Sequence, residues 1–302
     1  MARNKIPITA LFVSAIFAPV LVVAQSGRSA PDRDGAVAFY GESSARSTLP
    51  FSLYRGYLVV FEGRIATLKG MRFLLDSGVT HSVIDRKLAE RLGLSGPPAN
   101  MANFDRVVSA SWATVPEIEF GPTLATKFPM LVGDLEYLRP DAGRVDAVIG
   151  LDLLRKTSFG IDYGSKELEF GHFQRNGSKV RMVTNAICLT VEVMIGNGVS
   201  RLVVDTGMSG ILLYEDRLGV RVSAAQDLGP ASGFTISGQL RGRRAVIPRI
   251  QLGQMDIDRR VVLMHGPPSK LLPGIDGYLG TSALEIRKIV FDFDTGTLGW
   301  QR

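Results

Sequence analysis

Four blocks of this sequence occur twice, in the same order and at nearly constant spacing, and that repeat restricts the fold more than any other feature. Phe73-Leu74-Leu75-Asp76-Ser77-Gly78 returns 129 residues later as Leu202-Val203-Val204-Asp205-Thr206-Gly207. Val115-Pro116-Glu117-Ile118-Glu119-Phe120-Gly121 returns after 132 residues as Ile247-Pro248-Arg249-Ile250-Gln251-Leu252-Gly253. Val145-Asp146-Ala147-Val148-Ile149-Gly150 and Ile275-Asp276-Gly277-Tyr278-Leu279-Gly280 lie 130 residues apart, as do Phe159-Gly160-Ile161-Asp162-Tyr163 and Ile289-Val290-Phe291-Asp292-Phe293. The chain therefore reads as two copies of one unit, residues 49–171 and 185–302, joined by a polar linker at 172–184.

Each copy reads mostly as strand. Residues 57–65 and 187–195 are rich in β-branched and aromatic side chains, and each is followed by a glycine-containing turn and a second run that ends at the aspartate, the pattern of a hairpin. Glycine makes up 33 of 302 residues, about 11% against a usual ~7%, and 15 prolines accompany it, which favours turns and short strands over a helix bundle. In residues 83–92, Ile84, Leu88 and Leu92 share one face and Gly93 follows, so the spacing predicts a helix there, with a shorter counterpart at 214–218. Short helices are also expected at 151–156 and 282–287. The fold class is all-β with minor helices.

Residues 1–24 have the layout of a secretory signal peptide: Arg3 and Lys5, an apolar run from Ile6 to Val23, and small residues up to Ala24. The other reading is an uncleaved membrane anchor, since a run of this length nearly spans a bilayer; Pro19 argues against it. No cysteine follows the run, which excludes a lipoprotein anchor, and either reading puts the body outside the cytoplasm, in the periplasm or secreted from a bacterial cell. Residues 25–48 read as a linker or short pro-segment. The net charge of +6 includes Arg3 and Lys5, and the remaining basic residues are scattered as on a solvated surface, not gathered for nucleic acid. One cysteine, Cys188, excludes an internal disulfide framework and a cysteine-rich zinc site, and three histidines leave little for a metal centre. The Asn176-Gly177-Ser178 sequon carries no weight in such a chain.

The two triplets Asp76-Ser77-Gly78 and Asp205-Thr206-Gly207 hold the chemistry. An apolar strand delivers each carboxylate to the edge of a core, and the glycine permits a tight turn and close approach of another chain. One such triplet is an ordinary turn. Two, on matching strands of two repeats, would meet on an approximate two-fold axis. Carboxylates a few ångströms apart cannot both ionise and share a proton, so one can activate a water while the other donates to a carbonyl.

In these residues, and in the apolar-apolar-glycine blocks Val148-Ile149-Gly150 and Tyr278-Leu279-Gly280 that follow each triplet, the chain resembles the retropepsin-like and pepsin-like aspartic peptidases, in particular bacterial exported proteins of that kind. The resemblance covers residues 49–302. It implies two β-barrel-like lobes with a cleft between them, a catalytic pair formed by Asp76 and Asp205, cross-bonded hydroxyls from Ser77 and Thr206 beneath them, and Gly78 and Gly207 on the cleft floor. It implies a peptide or protein substrate, hydrolysis without metal or cofactor, and a site complete in one chain, hence a monomer with no stable membrane insertion after signal cleavage.

The chain also departs from the pattern. No tyrosine occurs between Leu94 and Val115, where a pepsin-like flap would carry one; Asn103, Phe104 and Trp112 are there instead. The second copy offers a glycine-bounded hairpin around Phe234, Thr235 and Ile236, so Phe104 and these three are the candidate flap residues. Val79 and Met208 follow the triplets where pepsin-like enzymes carry a hydroxyl. His81 reads as a polar helix start, Cys188 as a buried inert thiol, Asp146, Asp276, Asp162 and Asp292 as turn or hydrogen-bonding residues and not metal ligands, and Arg241, Arg243 and Arg244 as a solvated strand edge. The function expected is aspartic endopeptidase; the rival is a peptide-binding module that keeps the cleft without catalysis.

Overall fold

The computed structural model describes residues 14–15, 21–22, 37–39, 47–103, 106–173, 177–185, 187–235, 238–266 and 273–302. These are mostly β-strand with a few short helices, in agreement with the all-β reading. Most of residues 1–46, including nearly all of the signal-peptide and pro-segment readings, lie outside the described residues.

In the amino-terminal half, Leu58–Ile65 and Leu68–Leu75 form an antiparallel hairpin. Leu68–Leu75 then pairs in parallel with Ala147–Ile149, which pairs with Val83–Asp85, which pairs in parallel with Thr123–Gly133. Thr123–Gly133 is also paired with the long strand Arg106–Phe120, which folds back on Pro98–Asn103 as a hairpin. The same chain of pairings recurs in the carboxyl-terminal half. Leu189–Ile195 and Gly198–Asp205 form a hairpin, Gly198–Asp205 pairs in parallel with Gly277–Gly280, and this with Ile211–Tyr214. Ile211–Tyr214 pairs in parallel with Arg260–Met264, which leads through Gly238–Val246 to Gln226–Thr235, the second long hairpin.

A six-stranded antiparallel sheet joins the halves. Its order is Ser47–Tyr54, Glu167–Phe170, Phe159–Asp162, Lys288–Asp292, Thr297–Gln301, Ser178–Thr184. At its centre the Phe159 and Phe291 rings stack with centroids 4.6 Å apart. Half-buried Lys288 and Glu169 pair across the junction. The buried side chains of this sheet belong to the same apolar core as those of both halves.

Three local expectations are corrected. Residues 83–85 are strand, and the helix is only Arg86–Arg91. Asp85 ends the strand and caps the helix, accepting from the Lys87 and Leu88 amides at 3.0 and 3.3 Å. Val83 and Ile84 are buried and β-branched, and sheet pairing on both sides outweighs their helical spacing. The stretch read as linker contains strand Ser178–Thr184, paired on both edges. The helices expected at 151–156 and 282–287 shrink to Leu151–Leu154 and a 3-10 turn at Thr281–Leu284.

Candidate active site

Each triplet sits where a buried strand stops. Packing along both strands is dense: Phe73, Leu74 and Leu75, and likewise Leu202, Val203 and Val204, are fully buried, so the aspartates emerge from the centre of each half. The amide of Asp76 donates to the Ile149 carbonyl at 3.1 Å, anchoring the turn to the apolar-apolar-glycine strand. Each aspartate then closes its own turn, with the Gly78 amide donating to Asp76 Oδ1 at 2.9 Å and the Gly207 amide to Asp205 Oδ1 at 2.8 Å.

The two turns interlock beneath the carboxylates. The Ser77 amide donates to Thr206 Oγ1 at 2.9 Å and the Thr206 amide to Ser77 Oγ at 3.1 Å. Each hydroxyl in turn donates to the strand opposite: Ser77 Oγ to the Val204 carbonyl at 2.8 Å, Thr206 Oγ1 to the Leu75 carbonyl at 3.1 Å. All four polar groups of this square are satisfied while fully buried, so it is a rigid link in a dry region. Nearby, Thr80 Oγ1 donates to the Ile187 carbonyl at 2.6 Å, a further tie between the halves.

Gly78 and Gly207 are glycines for reasons of space. A Cβ on Gly78 would lie 2.5 Å from the Asp205 carboxylate, and one on Gly207 would lie 2.4 Å from Asp76 Oδ2. Each carboxylate therefore rests against the other half's turn, and the two interact directly. Both are fully buried, and among the described residues no amide or hydroxyl reaches Asp76 Oδ2 or Asp205 Oδ2. Burial raises both carboxyl groups. Asp76 is pushed up to about 7, against the lowering effect of the Gly78 amide, the Asp205 hydrogen bond and the Val79 amide. Asp205 is raised as well, burial first and the Asp76 charge second, against the Gly207 and Met208 amides. The Val79 amide also donates to the Asp76 main-chain carbonyl at 3.4 Å, while the Val79 and Met208 side chains offer no donor. A carboxyl pair of this kind holds one proton between its two titration steps.

Phe104 and Ile236 lie outside the described residues; Phe234 and Thr235 end a described strand, but their side chains are not described. Trp112, on the amino-half hairpin, is buried and meets the His81 ring edge-on at 5.5 Å. His81 lies in the bend before Val83–Asp85, not at a helix start. Cys188 is buried, and burial pushes its thiol up to about 11. The recurring aspartates hold backbone: Asp146 and Asp276 accept from the Arg72 and Arg201 amides, Asp162 and Asp292 from the turns that follow them. Arg243 pairs with Glu215, while Arg241 and Arg244 are exposed.

Sequence reasoning missed three groups around the pair. Tyr137 and Tyr278 have buried hydroxyls close enough to Asp76 and Asp205, respectively, to feel their charge, and burial raises both phenols. Asp152, two residues after Gly150, is half-buried and bonded to Ser82. Its signal was the mismatch between copies, where Ser282 stands at the corresponding place.

Residues 60–153 match the family model described as aspartyl protease. The match includes Asp76, Ser77, Gly78 and the Val148-Ile149-Gly150 block and stops short of Asp205. It supports the aspartic peptidase family and, at that coarse level, a hydrolase of peptides. No curated protein matches the chain.

Proposed function

We propose, from the aspartyl-protease likeness of residues 60–153 and the buried carboxylate pair, that this chain is an exported aspartic endopeptidase with both halves of its site on one polypeptide. The observation that carries the reading is the approach of Asp76 and Asp205: each is packed against the other half's glycine, and no described amide or hydroxyl engages their outer oxygens. A pure binder has no use for two carboxyl groups held where one must keep a proton.

The chemistry follows from that shared proton. The ionised carboxylate takes a proton from a water as the water oxygen bonds to the peptide carbonyl carbon. The protonated partner gives its proton to the carbonyl oxygen, which yields a tetrahedral diol. On collapse the C–N bond breaks, the carboxyl that received the water's proton passes it to the departing nitrogen, and a diol hydroxyl returns a proton to the other carboxylate. The Ser77–Thr206 square keeps the distance between the two groups constant throughout. The outer strands of the two long hairpins, Pro98–Asn103 and Gln226–Thr235, pair with Leu21–Val22 and Ser14–Ala15 of the same chain, and such edges are where an extended peptide would add as a strand once those segments are displaced.

Incubation of the purified protein with a diverse peptide library, with and without a statine-type mimic of the diol, tests this. Cleavage that the mimic abolishes is expected. Peptides retained but never cut would favour the binding-module reading instead.

A further inference from the structure

The loop that carries Asp76 is braced differently from the loop that carries Asp205. Behind the amino-half turn, the Ser82 amide donates to Asp152 Oδ2 at 2.8 Å and the Ser82 hydroxyl to Asp152 Oδ1 at 2.6 Å. The Leu153 amide also donates to Oδ1, at 3.0 Å. Ser82 Oγ accepts in turn from the Gly150 amide at 3.0 Å. Backbone bonds run alongside, from the Leu151 amide to the Val79 carbonyl at 2.8 Å and from the Asp152 amide to the Thr80 carbonyl at 3.2 Å. Gly150 itself is pressed against residues 79–82, where a Cβ would lie 2.8 Å from the Val79 carbonyl.

The direction of every proton in this relay is determined. Because the Gly150 amide donates to Ser82 Oγ, the Ser82 hydroxyl is left to donate onward to Asp152. Three donors converge on Asp152, and only a carboxylate accepts at both of its oxygens. An amide in its place would turn one N–H against the Ser82 amide N–H. The carboxyl-terminal half manages with less. Ser282 Oγ accepts from the Gly210 amide at 3.0 Å, and Ile211 stands where Ser82 stands in the first half.

We propose that Asp152 is a positioning residue for Asp76: its carboxylate fixes Ser82, Ser82 fixes Gly150, and the relay holds residues 76–82 so that Asp76 meets Asp205. A half-buried acidic side chain is retained there because its acceptors hold a loop that must not shift. The proposal rests on the peptidase reading for its effect on turnover, but the loop's rigidity can be read without it.

The test compares the full protein with Asp152→Asn, Ser82→Ala and the double variant. Amide hydrogen exchange is followed over residues 76–82 and over residues 205–211, and kcat and KM are measured on a peptide that the parent cleaves. Exchange is expected to rise at least several-fold over 76–82 and to stay unchanged over 205–211. The value of kcat should fall about ten- to hundredfold with KM nearly constant, because misplacing a reacting group by a fraction of an ångström costs rate, not binding. The double variant should be no worse than Asp152→Asn, since both act on one relay. Unchanged exchange over 76–82 in folded variants overturns the proposal, as does equal loosening of both loops, which means general destabilisation. If Asp152→Asn does not fold, Ser82→Ala alone decides by the same exchange criterion. A parent protein that cuts nothing sinks the peptidase reading and leaves the exchange result to judge the brace.

Discussion

The carboxyl groups of Asp76 and Asp205 oppose folding at neutral pH. A buried carboxyl raised above its unfolded value near 3.8 contributes stability below that value, and the contribution is lost as pH rises toward the folded value, about 7 for Asp76. Asp76→Asn removes that loss and still accepts the Gly78 amide. The expected outcome is a protein without peptidase activity that is more stable than the parent at pH 8, by an amount of the order of a few kcal/mol, with the advantage gone by pH 4. Calorimetry at the two pH values checks it. Asp205→Asn should behave alike, and the double variant should be no less active than either single one. For the same reason the rate profile should be a bell centred near neutrality and not in strong acid. An optimum at pH 2–3 would mean that the open, substrate-bound site solvates the pair far better than the closed one.

Gly78→Ala and Gly207→Ala test the approach itself. Neither glycine has a positive φ, so alanine meets no backbone penalty, only the opposite carboxylate at 2.5 or 2.4 Å. Each should abolish turnover and cost at least 1–3 kcal/mol, roughly the usual penalty for overpacking, in chemical denaturation. Retained activity in either would show that the two carboxylates stand further apart in solution.

At the scale of elements, what could be read from the sequence was what the chain builds locally. The hairpins before each aspartate were visible as alternating runs around a glycine turn, and the match between copies marked which strands carry the site. Val83 and Ile84 misled because their helical spacing coexists with β-branching, and only pairing to Thr123–Gly133 and Ala147–Ile149 decides between them. Ser178–Thr184 buries a single residue, Met182, so nothing in its composition announces a strand; its partners include Thr297–Gln301, far away in sequence. The roles of Ser77 and Thr206 were open to family likeness, whereas Asp152 has no acidic counterpart in the second copy, where Ser282 stands, so the repeat does not mark it. Asp85 offers a check on the local physics. It caps Arg86–Arg91 and also accepts from the Leu135 amide at 3.3 Å, so Asp85→Ala should cost about 1 kcal/mol or somewhat more in urea unfolding.

At the scale of the molecule, the joining sheet makes the halves interdependent. Phe159–Asp162 has Lys288–Asp292 as its neighbour, and the stacked Phe159 and Phe291 are fully buried. Phe291→Ala is expected to destabilise by about 3–5 kcal/mol and to do so for both halves in a single unfolding transition. Two separated transitions would mean that the sheet does not couple them. Specific activity should stay constant across a wide dilution range, because one chain carries both aspartates; a steep loss would point to pairing between chains.

The differences between the halves have a consequence for what enters between them. Were the two turns supplied by identical chains, a peptide could lie across them in either of two opposite orientations at equal energy. Here the surroundings of the pair are unlike: Asp152 braces one side and Ser282 the other, and His81 with Trp112 stands where the second half has Gly210. That degeneracy is lifted. On the peptidase reading, an extended peptide would meet a site with a built-in polarity, so residues before and after the cut bond should show separate, non-interchangeable preferences.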